Sequence, residues 1–266
     1  MKSSILRKLT IGTVVGIAMA TASVQAKVTA YFKAAYKDPA TVASNLKSAG
    51  FQVLTTYHPM GKKNLNVIVV TCPGLKKVAS KPKRGFAAVQ KVLVNTSAKT
   101  VLTTNPTYWL KAFLQKHYNK AVANKVASKL KTALGTLKPT ADALSSGDLA
   151  DYHFMIGMPY YEDMITLKKG ARGIKGGKAV FALKLNNGAT LYGVKMPRSV
   201  ESFVSKIGED KALVLPYTVL IEKGTAYTLH PKYYLAISYP RLSMGQFMKI
   251  SSTPDAIESA LKKAVK

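Results

Sequence analysis

The chain has 266 residues with 40 Lys and Arg against 12 Asp and Glu, a formal net charge of +28, and one cysteine. With 47% of its residues hydrophobic it has enough apolar surface to order itself, which excludes a disordered polycation. The lone thiol, Cys72, excludes an intramolecular disulfide and a Cys-x-x-Cys-His haem attachment, so stability rests on packing.

Lys2, Arg7 and Lys8 open the chain, Leu9 to Ala22 run apolar or small, and Val24-Gln25-Ala26 places small residues before Lys27. That succession predicts an export signal, residues 1–26, cut ahead of Lys27, and a protein working outside the cytoplasm, which means the periplasm if the cell is Gram-negative. No Cys follows the apolar run to take a lipid. The longest later apolar stretch, Ala212 to Ile221, is ten residues and contains Pro216, so no transmembrane segment is expected after cleavage. Removing Lys2, Arg7 and Lys8 with the signal lowers the net charge from +28 to +25.

Along the mature chain, Val28 to Phe32 reads as a strand, and Asp38-Pro39 caps and opens a helix to about Ala49. Phe51 to Tyr57 and Leu65 to Thr71 read as strands around the turn His58-Pro59-Met60-Gly61. Cys72 ends the second of them and is expected to be buried. Phe86 to Asn95 and Thr100 to Thr104 form a predicted hairpin leading into Asn105-Pro106-Thr107-Tyr108-Trp109-Leu110. From His117 to Lys138, Val122, Val126, Leu130, Leu134 and Leu137 recur at spacings of four and three between lysines. This is a basic amphipathic helix, expected to dock on its own protein rather than on an anionic membrane, with Pro139 to Gly147 as a linker. Phe154 to Ile156 reads as a short strand with Met155 filling the core. Leu213 to Ile221 and Ala226 to Leu229 make a second hairpin, leading into His230-Pro231-Lys232-Tyr233-Tyr234-Leu235.

The string Thr-x-[Asn/His]-Pro-x-Tyr-[Trp/Tyr]-Leu thus occurs twice, from Thr103 and from Thr228, each time after an apolar hairpin. Recurrence with matching upstream elements predicts a duplicated domain. The expected architecture is α+β, with two related copies of an antiparallel sheet backed by helices, at 27–115 and 148–266. The long basic amphipathic helix and linker at 116–147 join them.

Leu46-Lys47-Ser48-Ala49-Gly50-Phe51-Gln52-Val53-Leu54, the strand ending Cys72-Pro73, and Ala212-Leu213-Val214-Leu215-Pro216-Tyr217-Thr218-Val219-Leu220-Ile221-Glu222 resemble the bacterial family known as domain of unknown function 302. In the later copy Leu191-Tyr192-Gly193-Val194-Lys195-Met196-Pro197, a helix Ser199 to Ile207 and the Leu-Pro strand come in that family's order. The resemblance spans most of the mature chain and implies a compact α+β domain with an antiparallel sheet backed by helices. It implies no known activity and supplies no catalytic residue. Such domains often carry a Cys after the Leu-Pro; here Tyr217 stands there, which removes thiol chemistry at that position.

Between Asp38 and Asp142 lie 103 residues with 17 Lys and Arg and no carboxylate. Cations without local partners attract anions at long range: an anionic small molecule, a lipid head group or an acidic protein, with nucleic acid ranked below these. The competing reading makes the charge solubilising only.

Three constellations bear on chemistry. Tyr108, Trp109, Tyr233 and Tyr234 beside Lys111 and Lys232 either wall a groove for an anionic, partly apolar ligand or pin each hairpin to its helix as core. His153, Met155, Met158 and Met164 combine imidazole with thioethers, a donor set suited to Cu(I). His58, Met60, Met244 and Met248 extend it if they fold nearby; copper is the one cofactor the residues offer. No Gly-x-Ser-x-Gly, His-Glu-x-x-His or P-loop string occurs. A hydrolase with an unmarked site, on His153, Glu162 and Asp163 or on His230 and Glu222, stands as a further alternative to the main reading. That reading is an exported, non-catalytic binding or accessory module for an anionic ligand or partner.

Overall fold

The computed structural model describes residues 26–266, so the predicted export signal lies, except for Ala26, outside the described residues. Among the described residues are nine α-helices and three antiparallel sheets, and no helix is long and apolar enough to cross a membrane.

The first half opens with β1 (Lys27–Thr29) and β2 (Tyr31–Ala34). They are split at Ala30, whose carbonyl accepts from the Asn105 backbone N–H and the Trp109 indole N–H. Helix α1 (Pro39–Ser48) starts at the predicted cap, the Asp38 carboxylate accepting from the Thr41 N–H at 2.9 Å. Then come β3 (Gln52–Tyr57), β4 (Leu65–Thr71), α2 (Pro73–Ala79), β5 (Gln90–Asn95), β6 (Thr100–Thr104), α3 (Pro106–Leu114) and α4 (Lys120–Leu134). The strands hydrogen-bond in the order β3-β4-β5-β6-β2, and β7 (Lys138–Pro139) extends the β2 edge.

Helix α4 is shorter than its periodicity suggested. Asn119 caps it by accepting from the Val122 N–H, and residues 115–117 form a separate 3₁₀ turn. Its stripe of Ala123, Val126, Leu130, Ala133 and Leu134 is buried against α1, α2 and α3. The expected linker is in fact stitched onto the first half: β7 pairs with β2, and β8 (Ala143–Ser145) pairs with β1.

The second half contains β9 (Ile165–Lys169), β10 (Ala179–Lys184), β11 (Thr190–Val194), α5 (Arg198–Glu201), α6 (Phe203–Ile207), β12 (Tyr217–Glu222), β13 (Thr225–Thr228), α7 (Pro231–Ser238), α8 (Met244–Met248) and α9 (Thr253–Ala264). Its sheet runs β10-β11-β12-β13-β9, all antiparallel. Matched in chain order, this is the strand order of the first sheet. Helix α1 has no counterpart; residues 170–178 instead pair with the end of the chain through the Ile174–Val265 bridge and the Lys266 N–H to Gly173 carbonyl bond.

Both predicted hairpins began too early. Residues 85–88 and 209–214 are 3₁₀ turns rather than strand. Each turn leaves its own sheet and packs on the other: Gly85–Ala88 against β11 and β12, Glu209–Val214 against β4, β5 and β6. Buried apolar runs of this length cannot be assigned to strand or turn by periodicity alone. The reciprocal exchange gives the two sheets one shared core. Phe154 to Ile156 is also no strand; all three side chains lie exposed on a loop.

Candidate functional site

The repeated string builds the same local structure twice. Thr103 and Thr228 donate their hydroxyls to the carbonyls of Lys91 and Thr218 at 3.2 and 2.9 Å. Asn105 and His230 cap α3 and α7 by accepting from the N–H groups of Thr107 and Lys232 at 3.0 and 3.2 Å, and Pro106 and Pro231 open the helices. The aromatic residues that follow turn inward. Trp109 and Tyr234 meet with ring centroids 6.0 Å apart at 77°, Tyr234 contacts Tyr217 at 5.2 Å, and the Tyr108 hydroxyl donates to the Ile237 carbonyl at 2.7 Å.

Tyr108, Trp109, Tyr233 and Tyr234 are all buried, so they form core and present no open groove. Their cationic neighbours diverge: Lys111 is held by the carbonyl and hydroxyl of Ser146 at 3.0 and 2.6 Å, while Lys232 is exposed at the start of α7.

Inside this nest sits a group the sequence did not flag. Lys91, 4% exposed, donates from Nζ to the carbonyls of Val214 and Pro216 at 2.8 and 2.9 Å, across the two halves. No carboxylate is among its partners, and burial lowers its ammonium pKa to about 7. The adjoining cavity, about 30 Å³, has room for one water molecule rather than a ligand. Lys91 lies in a strand whose six residues are all buried, so no alternation set it apart; the Thr103 and Thr228 hydrogen bonds make the buried Thr218 its counterpart in the other hairpin.

A cleft of about 360 Å³ opens where the first half's Lys83 and Arg84 meet the second half's Glu162, Met164, Glu222 and Lys223. Its carboxylates are engaged. Glu162 pairs with Arg84 at 3.4 Å, and Glu222 accepts from the Lys83 N–H and the Asn187 amide, both at 3.0 Å. His153 packs on Tyr160 with ring centroids 4.4 Å apart, and His230 caps α7; neither hydrogen-bonds Glu162, Asp163 or Glu222. The two acid–base constellations are therefore not assembled.

The copper donors are divided as well. Met155 and Met158 line an apolar groove with Met244, Met164 lines the cleft, and His153 packs on Tyr160. Met60 is buried, its sulfur accepting from the Ser205 hydroxyl at 3.3 Å. Among the described residues no group of three or more His, Cys, Asp or Glu is placed to hold a metal, and Cys72 is buried at the end of β4.

Of the 17 cations between Asp38 and Asp142, Lys62 and Arg84 form ion pairs among the described residues, and the exposed Lys63, Lys81, Lys83, Lys99, Lys116 and Lys138 lie outside α1, α2 and α4 without one. Both carboxylates lie in the second half, Lys62 pairing with Glu209 at 2.8 Å and Arg84 with Glu162, while the buried Lys91 meets only carbonyls. The hydrogen bond from Lys62, with others from Asn95 and Asn64, holds the Glu209 carboxyl below its usual range. Close by, the buried Glu201 accepts from the Tyr57 hydroxyl and the Met60 N–H, and burial pushes its pKa up. On the helical layer stand Lys47 on α1, Lys77 on α2 and Lys120, Lys125 and Lys131 on α4. All five are exposed and none forms an ion pair among the described residues. From residue 38 to residue 141 the only carboxylate is Asp38, turned onto Thr41 at the start of α1. The helical layer thus carries a local excess of positive charge.

No protein-family model matches this chain, and no curated protein and no solved structure matches it.

Proposed function

We propose that this chain is an exported, non-catalytic binding module that receives an anionic ligand or partner on the α1–α2–α4 layer of its first half. The observation that carries this reading is that the α1–α2–α4 layer holds five exposed lysines while the tract from residue 39 to residue 141 holds no carboxylate. Lys62 and Arg84 are matched by Glu209 and Glu162, whereas Lys47, Lys77, Lys120, Lys125 and Lys131 are exposed on one layer without ion-pair partners among the described residues. Uncompensated charge on one face raises the local concentration of anions and steers their approach.

We further propose that the two halves are diverged copies of one domain resembling the domain of unknown function 302 family. Support comes from the common strand order, the paired Thr103 and Thr228 hydrogen bonds, and the paired caps at Asn105 and His230. In this reading α4 is more than a connector: α9 touches α5 and α7 much as α4 touches α2 and α3. The test is the salt dependence of binding to a polyanion, compared between the wild type and a variant with α4 neutralised. A steep dependence that the variant loses supports the reading, and salt-independent retention removes it.

A further inference from the structure

All the exposed large apolar side chains of the described residues fall on two short segments: Phe154, Met155, Ile156 and Tyr160 on one, Met244 and Met248 on the other. The two segments flank a single groove of about 130 Å³. Phe154, Met155, Met158 and Met244 stand at its sides, and Leu235 and Leu242 contribute further wall. Tyr239 also lines it, but its hydroxyl is occupied, donating to the Lys211 carbonyl at 2.6 Å. The walls present no charged side chain, so a guest in the groove has to be apolar. Helix α8 buries none of its own residues and is held by a capping box between Ser243 and Gln246, which fixes Met244 and Met248 at the surface.

Ile156 is 98% exposed. A branched aliphatic side chain in that position is a convex anchor. A rigid protein partner needs a matching socket for it, whereas the acyl boundary of a bilayer accepts it without shape complementarity. Charge points the same way. Arg241 and Lys249, both exposed, flank α8 in sequence, and the chain from Lys27 carries +25. Of the carboxylates close in sequence, Asp151, Glu162 and Asp163 are exposed, Glu162 pairing with Arg84 at 3.4 Å and Asp163 accepting from the Tyr160 N–H at 2.9 Å.

We propose that the 154–160 loop and α8 form a docking tip for the surface of an anionic lipid membrane. Ile156, Phe154 and Met155 enter the acyl boundary, the groove takes an acyl chain, and Arg241 and Lys249 meet phosphate head groups. This rests on the reading of an exported, cation-bearing module but uses a different surface from the helical layer.

The chain from Lys27 is sedimented with vesicles of phosphatidylcholine and phosphatidylglycerol in equal parts and with vesicles of phosphatidylcholine alone. The wild type should pellet with the anionic vesicles, and Ile156→Asp should weaken that binding by about tenfold or more, as expected for one anchor withdrawn from an apolar phase. Because Ile156 is exposed, its thermal melt should not move. Ile156→Trp supplies a direct reporter, since the only native tryptophan, Trp109, is 6% exposed in the core. Its emission should shift to the blue on anionic vesicles and be quenched by brominated acyl chains. Wild-type and Ile156→Asp proteins that pellet equally, or Ile156→Trp emission unchanged by vesicles that pellet it, overturn the tip and leave the helical layer as the binding surface. Sedimentation of the wild type as a dimer that Ile156→Asp dissolves also overturns it, by assigning the patch to a second copy of the chain. Loss of vesicle binding in an α4-neutralised variant, together with quenching of the single Ile156→Trp protein on the same vesicles, supports both surfaces.

Discussion

Trp109 and Tyr234 occupy the same place in the two hairpin–helix units and meet edge to face at 6.0 Å, so the repeated string contacts itself across the junction of the halves. Aromatic pairs of this geometry add to the area they bury, and the Trp109 indole also donates to the Ala30 carbonyl at 2.9 Å. Trp109→Ala should cost about 3–5 kcal/mol in chemical denaturation. Polyanion binding by the fraction that stays folded should be unchanged. A small stability loss with a large binding loss would return Trp109 to a ligand wall.

Lys91 ties the halves through the Val214 and Pro216 carbonyls, and its titration leaves a signature in stability. Its folded pKa is lowered by burial to about 7. Between that value and the unfolded value near 10.4 the unfolded chain holds the proton more tightly than the folded one, so this group makes stability rise with pH. Below pH 7 the gain is gone. Denaturation of the wild type and Lys91→Met from pH 6.5 to 9.5 should show the wild type gaining on the variant as pH rises; parallel profiles would contradict it.

His230 caps α7 through a ring nitrogen that accepts from the Lys232 N–H, which an imidazolium cannot do. Burial, followed by the Lys232 charge, lowers its folded pKa. Its contribution is therefore present above the unfolded value near 6.5 and lost as pH falls through the lower folded value. His230→Asn copies the Asn105 cap of the first half. It should melt with the wild type at pH 8 and above it at pH 5. Equal acid losses in the two proteins would argue against the cap as the titrating element.

Gly85 lies where the first half's turn crosses onto the second sheet, and a Cβ there would collide with Leu220. Gly85→Ala should destabilise by about 1–3 kcal/mol through overpacking. If the halves are locked as described, calorimetry should still show one transition. Two separated transitions would mean that the halves fold independently.

Much of the architecture could be read from the residues. Asp38-Pro39, the run Leu65 to Thr71 and the twin Pro-x-Tyr strings each produced the element they imply, because caps, buried strands and helix starts are set by local chemistry. What escaped was set by contacts distant in sequence. Phe86 and Leu213 are apolar enough for strands, yet each sits in a turn inserted into the opposite sheet. Met155 follows the composition of core and is exposed on a loop. Lys62 and Arg84 have no acid nearby in sequence and find one more than 70 residues away, at Glu209 and Glu162. Local pattern therefore overstated the unpaired charge.

The most direct test of a binding face on the helical layer compares two triple variants of equal charge. Lys120→Gln, Lys125→Gln and Lys131→Gln neutralise the α4 face; Lys168→Gln, Lys169→Gln and Lys175→Gln neutralise three exposed lysines of the second half. Heparin affinity is measured against salt for each. The account predicts that the α4 variant lowers the salt slope by roughly one per lysine removed, while the second-half variant keeps the wild-type slope. Equal reductions in both would show a diffuse charge and contradict a binding face on the helical layer.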